Sequence, residues 1–190
     1  MRKLIYSIGV SLDGYIAGPD GGFDWAAPDE EQHRFHNEQE RELGANLCGR
    51  RMYETLRSWD EVDKRSSSDE YLLEFARHWR ATPKFVFSTT LDEVGPNATL
   101  VRGDAVEEVK RLKEETGEPL AVGGAGLAST LVRAGLVDEY GLFVNPVLVG
   151  GGTPFFPTLD SRVDLELLET RTFGSRVVYL RYGSGHVGAA

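Results

Sequence analysis

LAVGGAGLASTL, Leu120 to Leu131, places three glycines within four positions, between an apolar run and a run of small and apolar residues. An apolar stretch ending in glycine and restarting at helical spacing reads as a strand, a tight turn and a helix. Such a turn gathers backbone N–H groups and the positive end of a helix at one point, and glycines let an anion approach the backbone. It serves equally as a βα turn that only packs. From Gly124 the string reads G-x-G-x-x-S, a near miss to the dinucleotide fingerprint, and the acid expected about 20 residues further on is absent. On its own the segment leaves both readings open.

Strand and helix signals alternate around it. Lys3 to Val10 reads as a strand running into the turn SLDG, and GPDGG, Gly18 to Gly22, is a second turn. Ala27 to Gly44 has a proline near its start, three acids behind it and a closing glycine, the signals of a helix. NLCG follows as a short buried strand and RRMYETLRSW as a short helix. KRSSS, Lys64 to Ser68, reads as a polar hinge before a helix that carries Tyr71, Leu72, Phe75, Ala76 and Trp79 at helical spacing. KFVFSTTL is a strand, DAVEEVKRLKEETG a helix closed by Gly117, and VDEYGLFVNPVLVG a further strand ahead of the loop GGGTPFFP. VDLELLETRTF and SRVVYLRYG form a hairpin joined near Gly174. This order predicts an α/β fold: a mainly parallel central sheet, helices on both faces, and a C-terminal antiparallel hairpin at the edge. One domain is expected over residues 1–183, with 184–190 a loose tail.

Composition narrows the function. The chain has 190 residues, 41% hydrophobic and 27% charged, as in an ordinary globular domain. Thirty acids against 21 bases give a formal net charge of −9, which disfavours broad electrostatic binding to nucleic acid. An anionic ligand would need its own nest of basic side chains or N–H groups. No apolar run approaches the roughly 18 residues of a membrane span. Cys48 is the only cysteine, so there is no intramolecular disulfide and no cysteine-based zinc site, in keeping with a cytoplasmic protein.

Two further segments are suited to phosphate. In LCGRRMYETL a glycine ends a strand and Arg50 and Arg51 open a helix, placed for charge-assisted hydrogen bonds. In FSTTL, Phe87 to Leu91, hydroxyl side chains sit at the carboxyl end of a strand, where open α/β sheets bind ligands. Asp29, Glu30 and Glu31 complement the helix dipole behind Pro28, and a functional reading has one of them supply a proton. Asp13 in SLDGY either closes its turn or faces a substrate. His33 and His36 read as a solvated helix face, since no third ligand accompanies them, and no serine lies in a nucleophile elbow. Among the aromatics, Trp25, Tyr53 and Phe155 are the candidates for contact with a flat ring.

Together VSLDGYIAGPDGGFDW, LCGRRMYETL and LAVGGAGLASTLVRAGLVDEYGLFVNPVLVGGGTPFF, in this order, resemble the dihydrofolate reductase superfamily. The resemblance is strongest to the branch of the reductase domain of the riboflavin-biosynthesis deaminase-reductase. It implies an NADPH-dependent reductase of a flat heterocyclic or conjugated small molecule. It places Gly123, Gly124, Ala125, Gly126 and Leu127 at the pyrophosphate and Gly49, Arg50, Arg51 and Met52 beside the adenosine phosphates. Ser88 and Thr89 fall near the 2′-phosphate, and Ile16 and Ala17 against the nicotinamide. Asp13 and Glu30 are the candidate proton donors, and a homodimer is the implied assembly. Alternatives within this reading are 5-amino-6-(5-phosphoribosylamino)uracil reductase, a weak dihydrofolate reductase, and an NADPH-binding module without catalysis. Where riboflavin-pathway enzymes carry an acid before the paired glycines, this chain has Val122.

Overall fold

Alternating side chains build the first strand, β1, Leu4–Ser11: Leu4, Tyr6 and Val10 are buried on one face, and Gly9 on the other leaves room for a backbone turn. The computed structural model describes residues 1–63, 65 and 69–185. Apart from Arg65, the hinge read at Lys64 to Ser68 lies outside the described residues, as do residues 186–190 of the tail.

After β1 come β2 (Tyr15–Ala17), α1 (Glu30–Arg41), β3 (Ala45–Gly49), α2 (Arg50–Leu56), α3 (Glu70–Ala81) and β4 (Lys84–Phe87). Then follow β5 (Ala98–Val101), α4 (Ala105–Glu114), β6 (Leu120–Gly123), α5 (Ala125–Arg133) and β7 (Glu139–Asn145). The chain closes with β8 (Thr153–Pro154), β9 (Leu165–Thr172) and β10 (Val178–Ser184). Eight strands form one sheet in the order β5-β4-β3-β6-β1-β7-β10-β9, and β2 pairs with β8 in a small second sheet. β5 through β7 pair in parallel, and β10 runs against both β7 and β9. This is the expected α/β sheet with an antiparallel hairpin at its edge.

The chain builds outward from β1 through β3, β4 and β5, returns to insert β6 between β3 and β1, and then continues on the other side of β1 as β7. In open α/β sheets a reversal of this kind marks the place of the ligand crevice, here outside the carboxyl ends of β1, β6 and β3. α5 buries Leu127, Ala128 and Leu131 against Leu4, Tyr6 and Tyr140 on one face. α1 sets Phe35 against Phe143 and Tyr179 on the other.

Three local readings change. α1 is shorter than Ala27 to Gly44, because the Asp29 carboxylate caps it by accepting from the Gln32 N–H at 2.9 Å. β5 was not foreseen: its four residues carry no strong alternation, and pairing with β4 makes it a strand. Ser184 belongs to β10, where its N–H donates to the Asp138 carbonyl, so it is not part of a loose tail. Among the described residues no helix is long and apolar enough to cross a membrane.

His33 and His36 are not solvated either. His33 is buried with Trp59, Tyr71 and Phe75 edge-on to its ring, and His36 lies 4.3 Å from Phe143. Burial pushes the His36 imidazole down to about 4. An imidazole depressed on folding binds its proton more readily in the unfolded chain, so its contribution to stability is lost as pH falls from about 6.5 towards 4. Urea melts at a series of pH values should show a loss of up to about 1.4 kcal/mol per pH unit in that window, and His36→Phe should flatten it.

Candidate functional site

β3 and β6 are neighbours, with Cys48 opposite Gly123, so the turns that follow the two strands lie side by side. Gly124 has φ +99°, and a Cβ there would sit 3.4 Å from the Gly49 nitrogen and Cα. A Cβ on Gly123 would sit 3.0 Å from Met52 Cγ. Gly126 faces open space. The glycines thus have two separate uses: Gly123 and Gly124 let the turns meet, and Gly126 leaves the approach to α5 clear. Neither α2 nor α5 has a side chain capping its N-terminus. Their first-turn N–H groups have no partner within the helix, and the positive ends of both helices face the crevice.

Beside these turns, the end of β4 folds into a tight loop. Ser88 Oγ accepts from the N–H groups of Thr90 and Leu91 at 3.2 and 3.1 Å. Two guanidinium groups converge on it. Arg50 donates to Thr90 Oγ1 at 2.7 Å while pairing with Glu54. Arg102, the first residue after β5, donates to the carbonyls of Thr89 and Leu91 at 3.3 and 2.6 Å. Sequence reading missed Arg102 because it missed β5; the β-branched and apolar run Thr99–Val101 ahead of Arg102–Gly103 was the available signal. Arg51 is exposed on α2, and Met52 is half-buried under Gly123.

At the other end of the crevice, Ile16 packs against the main core and Ala17 pairs with Thr153. Gly152 has φ +117° and approaches so closely that a Cβ would collide with the Ala17 carbonyl. Trp25 sits half-buried in a 3-10 turn, Asp24–Ala26, which rests on Gly9 of β1. Its side chain lines a shallow cleft of about 340 Å³ with Gly18, Pro19, Asp20 and Val149.

Four expected site residues have other roles. Tyr53 is buried, and its hydroxyl accepts from the Gly95 N–H at 2.7 Å, which anchors the loop ahead of β5. Phe155 is buried with its ring stacked 4.4 Å from Tyr6. Neither ring is open to a substrate, because the core is filled by them. The Asp13 carboxylate accepts from Ser11 Oγ at 2.6 Å and from the N–H groups of Val149 and Gly150 at 3.2 and 2.7 Å. These bonds, the Ser11 hydroxyl first, hold it below the usual carboxylate range, so at neutral pH it carries no proton to donate. Asp13 is therefore a clamp between the β1–β2 turn and the loop after β7. Glu30 is exposed to solvent in an ion pair with Arg34 at 2.7 Å.

The chain matches the family model described as RibD C-terminal domain over residues 2–179. It is 33% identical over 184 residues to the uncharacterized protein YyaP of Bacillus subtilis (strain 168), covering 95% of this chain and 94% of the other. Among solved structures, a putative riboflavin biosynthesis protein from Shewanella sp. PV-4 superposes with a TM-score of 0.74 at 23% identity, covering 98% of this chain and all of that one. Dihydrofolate reductase from Enterococcus faecalis, solved with NADP(H), superposes with a TM-score of 0.62 at 15% identity, covering 96% of each chain. At these identities the two structures establish a common dihydrofolate reductase-like fold.

Replacing Asp13 with Asn tests the clamp. A carboxyl held below its unfolded value stabilises the fold above the ordinary carboxylate range and ceases to do so as pH falls through its folded value. Asp13→Asn should therefore melt below the wild type at neutral pH, and the gap should close in acid. A gap that persists unchanged to low pH would exclude the carboxylate as its source.

Proposed function

The chain belongs to the RibD C-terminal domain family, a group of pyrimidine- and folate-type reductases, and on that premise we propose that it is an NADPH-dependent reductase of a flat heterocyclic or conjugated small molecule. One observation carries the reading: two uncapped helix starts, closed on each other through Gly49 and Gly124, stand beside a hydroxyl-rich turn gripped by Arg50 and Arg102. Two neighbouring anion sites of different character, N–H groups and a helix end at one and guanidinium groups at the other, fit a pyrophosphate and a 2′-phosphate.

In this reading the N–H groups of Gly123 to Leu127 hold the pyrophosphate. Arg50, Arg102, Ser88 and Thr89 hold the 2′-phosphate, with Arg51 at the rim. Ile16 and Ala17 support the nicotinamide, and Trp25 walls the substrate ring. NADPH, when bound, supplies the hydride. The protein contributes orientation of the two rings and exclusion of water from between them. Because Asp13 serves as a clamp and Glu30 pairs with Arg34 in solvent, the proton comes from water in this scheme. The lone cysteine is buried and suits a reducing compartment such as the cytoplasm.

The fate of both acids also favours a second reading, a module that binds NADPH without turnover. NADPH oxidation over a panel containing dihydrofolate, 5-amino-6-(5-phosphoribosylamino)uracil and conjugated carbonyl compounds separates the two readings. Nicotinamide fluorescence should show saturable NADPH binding at micromolar concentrations, and its absence would overturn both. Each charge-assisted bond is worth about 1.5–3 kcal/mol, so Arg102→Ala should weaken NADPH about tenfold or more and leave NADH unchanged.

A further inference from the structure

The cleft beside Trp25 has walls that are fixed by the chain itself. The Gly18 N–H donates to the Gly22 carbonyl at 2.8 Å and the Gly21 N–H to the Gly18 carbonyl at 2.9 Å, which closes the loop after β2 on itself. A Cβ on Gly151 would sit 3.7 Å from Pro19 Cγ, and Asp13 holds the neighbouring Val149 and Gly150 by their N–H groups. The 3-10 turn Asp24–Ala26 supplies the remaining wall, seated on β1 where Ala26 Cβ lies 3.0 Å from the place of a Cβ on Gly9. Gly18 and Pro19 follow directly on Ile16 and Ala17, so the cleft begins where the nicotinamide support of the reductase reading ends.

Its lining carries charge of one sign. Asp20 and Asp24 contribute carboxylates, and among the described residues no lysine, arginine or histidine lines the cleft. Asp20 Oδ1 accepts from the Gly22 N–H at 2.9 Å, whereas the Asp24 carboxylate, exposed to solvent, has no partner among the described residues. Beside it stands Trp25, and indole is the aromatic ring that attracts a cation most strongly. Carboxylates next to an indole favour a flat ring that bears positive charge and disfavour a phosphate. The formal net charge of −9 acts in the same direction, since an acidic surface draws cations and turns anions away.

Resting on the reductase reading above, we propose that the substrate is a flat cationic ring of the iminium type, C=N⁺, without phosphate, and that Asp24 selects it by charge. The same charge accounts for the lack of an acid. Asp13 is engaged as a clamp, Glu30 pairs with Arg34, and among the described residues the cleft is lined by no histidine, lysine, tyrosine or cysteine that would give up a proton. Hydride addition to a neutral C=N or C=O leaves an anion on nitrogen or oxygen, which calls for a proton in the same event. With an iminium the hydride from NADPH forms the C–H bond at carbon and the π pair becomes the nitrogen lone pair. A neutral amine and NADP⁺ result, and no proton passes to or from the protein. A substrate of this class has taken its proton from water before binding, or carries a permanent charge. 5-Amino-6-(5-phosphoribosylamino)uracil would instead bring its phosphate to two carboxylates.

N-methylisoquinolinium and 2-methylnaphthalene share size and shape and differ in charge, so calorimetric titration of each into the full chain without cofactor reads the cleft alone. The cation should bind at least about fivefold more tightly, and molar salt should narrow the difference. Asp24→Asn should bring the preference down to about twofold, and Asp24→Glu should keep it. Asp20→Asn, which retains an acceptor for the Gly22 N–H, stands in if Asp24→Asn misfolds. N-methyl-3,4-dihydroisoquinolinium should oxidise NADPH faster with the protein than without it. There Asp24→Asn should raise KM about fivefold with kcat nearly unchanged, because Asp24 reads charge and touches no reacting atom. Equal binding of the two ring probes, a cation preference that Asp24→Asn leaves intact, or tighter binding of 5-amino-6-(5-phosphoribosylamino)uracil than of the cation overturns the proposal. Absence of NADPH binding overturns the reductase reading and the hydride step with it, whereas cation selectivity stands or falls on the ring titration.

Discussion

The close approach of Gly49 and Gly124 is the contact on which the crevice depends. β6 inserts between β3 and β1 only if the turn after it passes the turn after β3, and a side chain at Gly124 would abut the Gly49 backbone at 3.4 Å and oppose a φ of +99°. Once the turns touch, α2 and α5 must start beside each other. The result is a paired set of free N–H groups at the point where the strand order reverses, produced by backbone geometry before any functional side chain is placed.

The two ends of the sheet divide their work. At the end opposite the crevice, ionised side chains are buried and paired. Glu139 is bound by Lys3 at 2.6 Å and by Arg181 at 2.7 Å, and Lys113 bonds Asp138 and the Leu136 carbonyl. Lys84, also buried, donates to the carbonyls of Trp79 and Thr82 and so satisfies the end of α3. These charges are matched locally and hold β1, β7 and β10 in register. At the crevice end the cations Arg50 and Arg102 bond carbonyl and hydroxyl oxygens as well as Glu54, so part of their charge stays uncompensated and available to an anion.

Two exposed acids, Asp13 and Glu31, hold loops. Asp13 joins the first turn to the loop after β7, and Glu31 ties α1 to the hairpin turn by accepting from the Gly174 N–H at 2.9 Å and from Arg171. Both carboxylates are held below their ordinary range by those bonds. A carboxylate that already accepts two or three hydrogen bonds gains little from a proton, so these groups lend rigidity to the loops they join.

Much of the architecture was legible in the chain. Alternation in Leu4–Val10, the proline and acids that open α1, and glycines after apolar runs each depend on a few neighbouring residues, so the sequence by itself determined most of the strand–helix order and the carriers of the paired turns. The resemblance to the reductase family placed Arg50 and Ser88 at the same cofactor site as those turns. The tertiary structure decided what local pattern does not encode. β5 is a strand because β4 lies beside it, and Arg102 reaches the Ser88 turn only because that strand ends there. Tyr53 and Phe155 are core because other side chains surround them, and His33 and His36 are buried because α3 and β7 cover that side of α1. Asp13 became a clamp because a loop more than a hundred residues away brings two N–H groups to it. Burial and the partner of a charge are properties of the packed chain, since each requires an atom that lies far away in sequence.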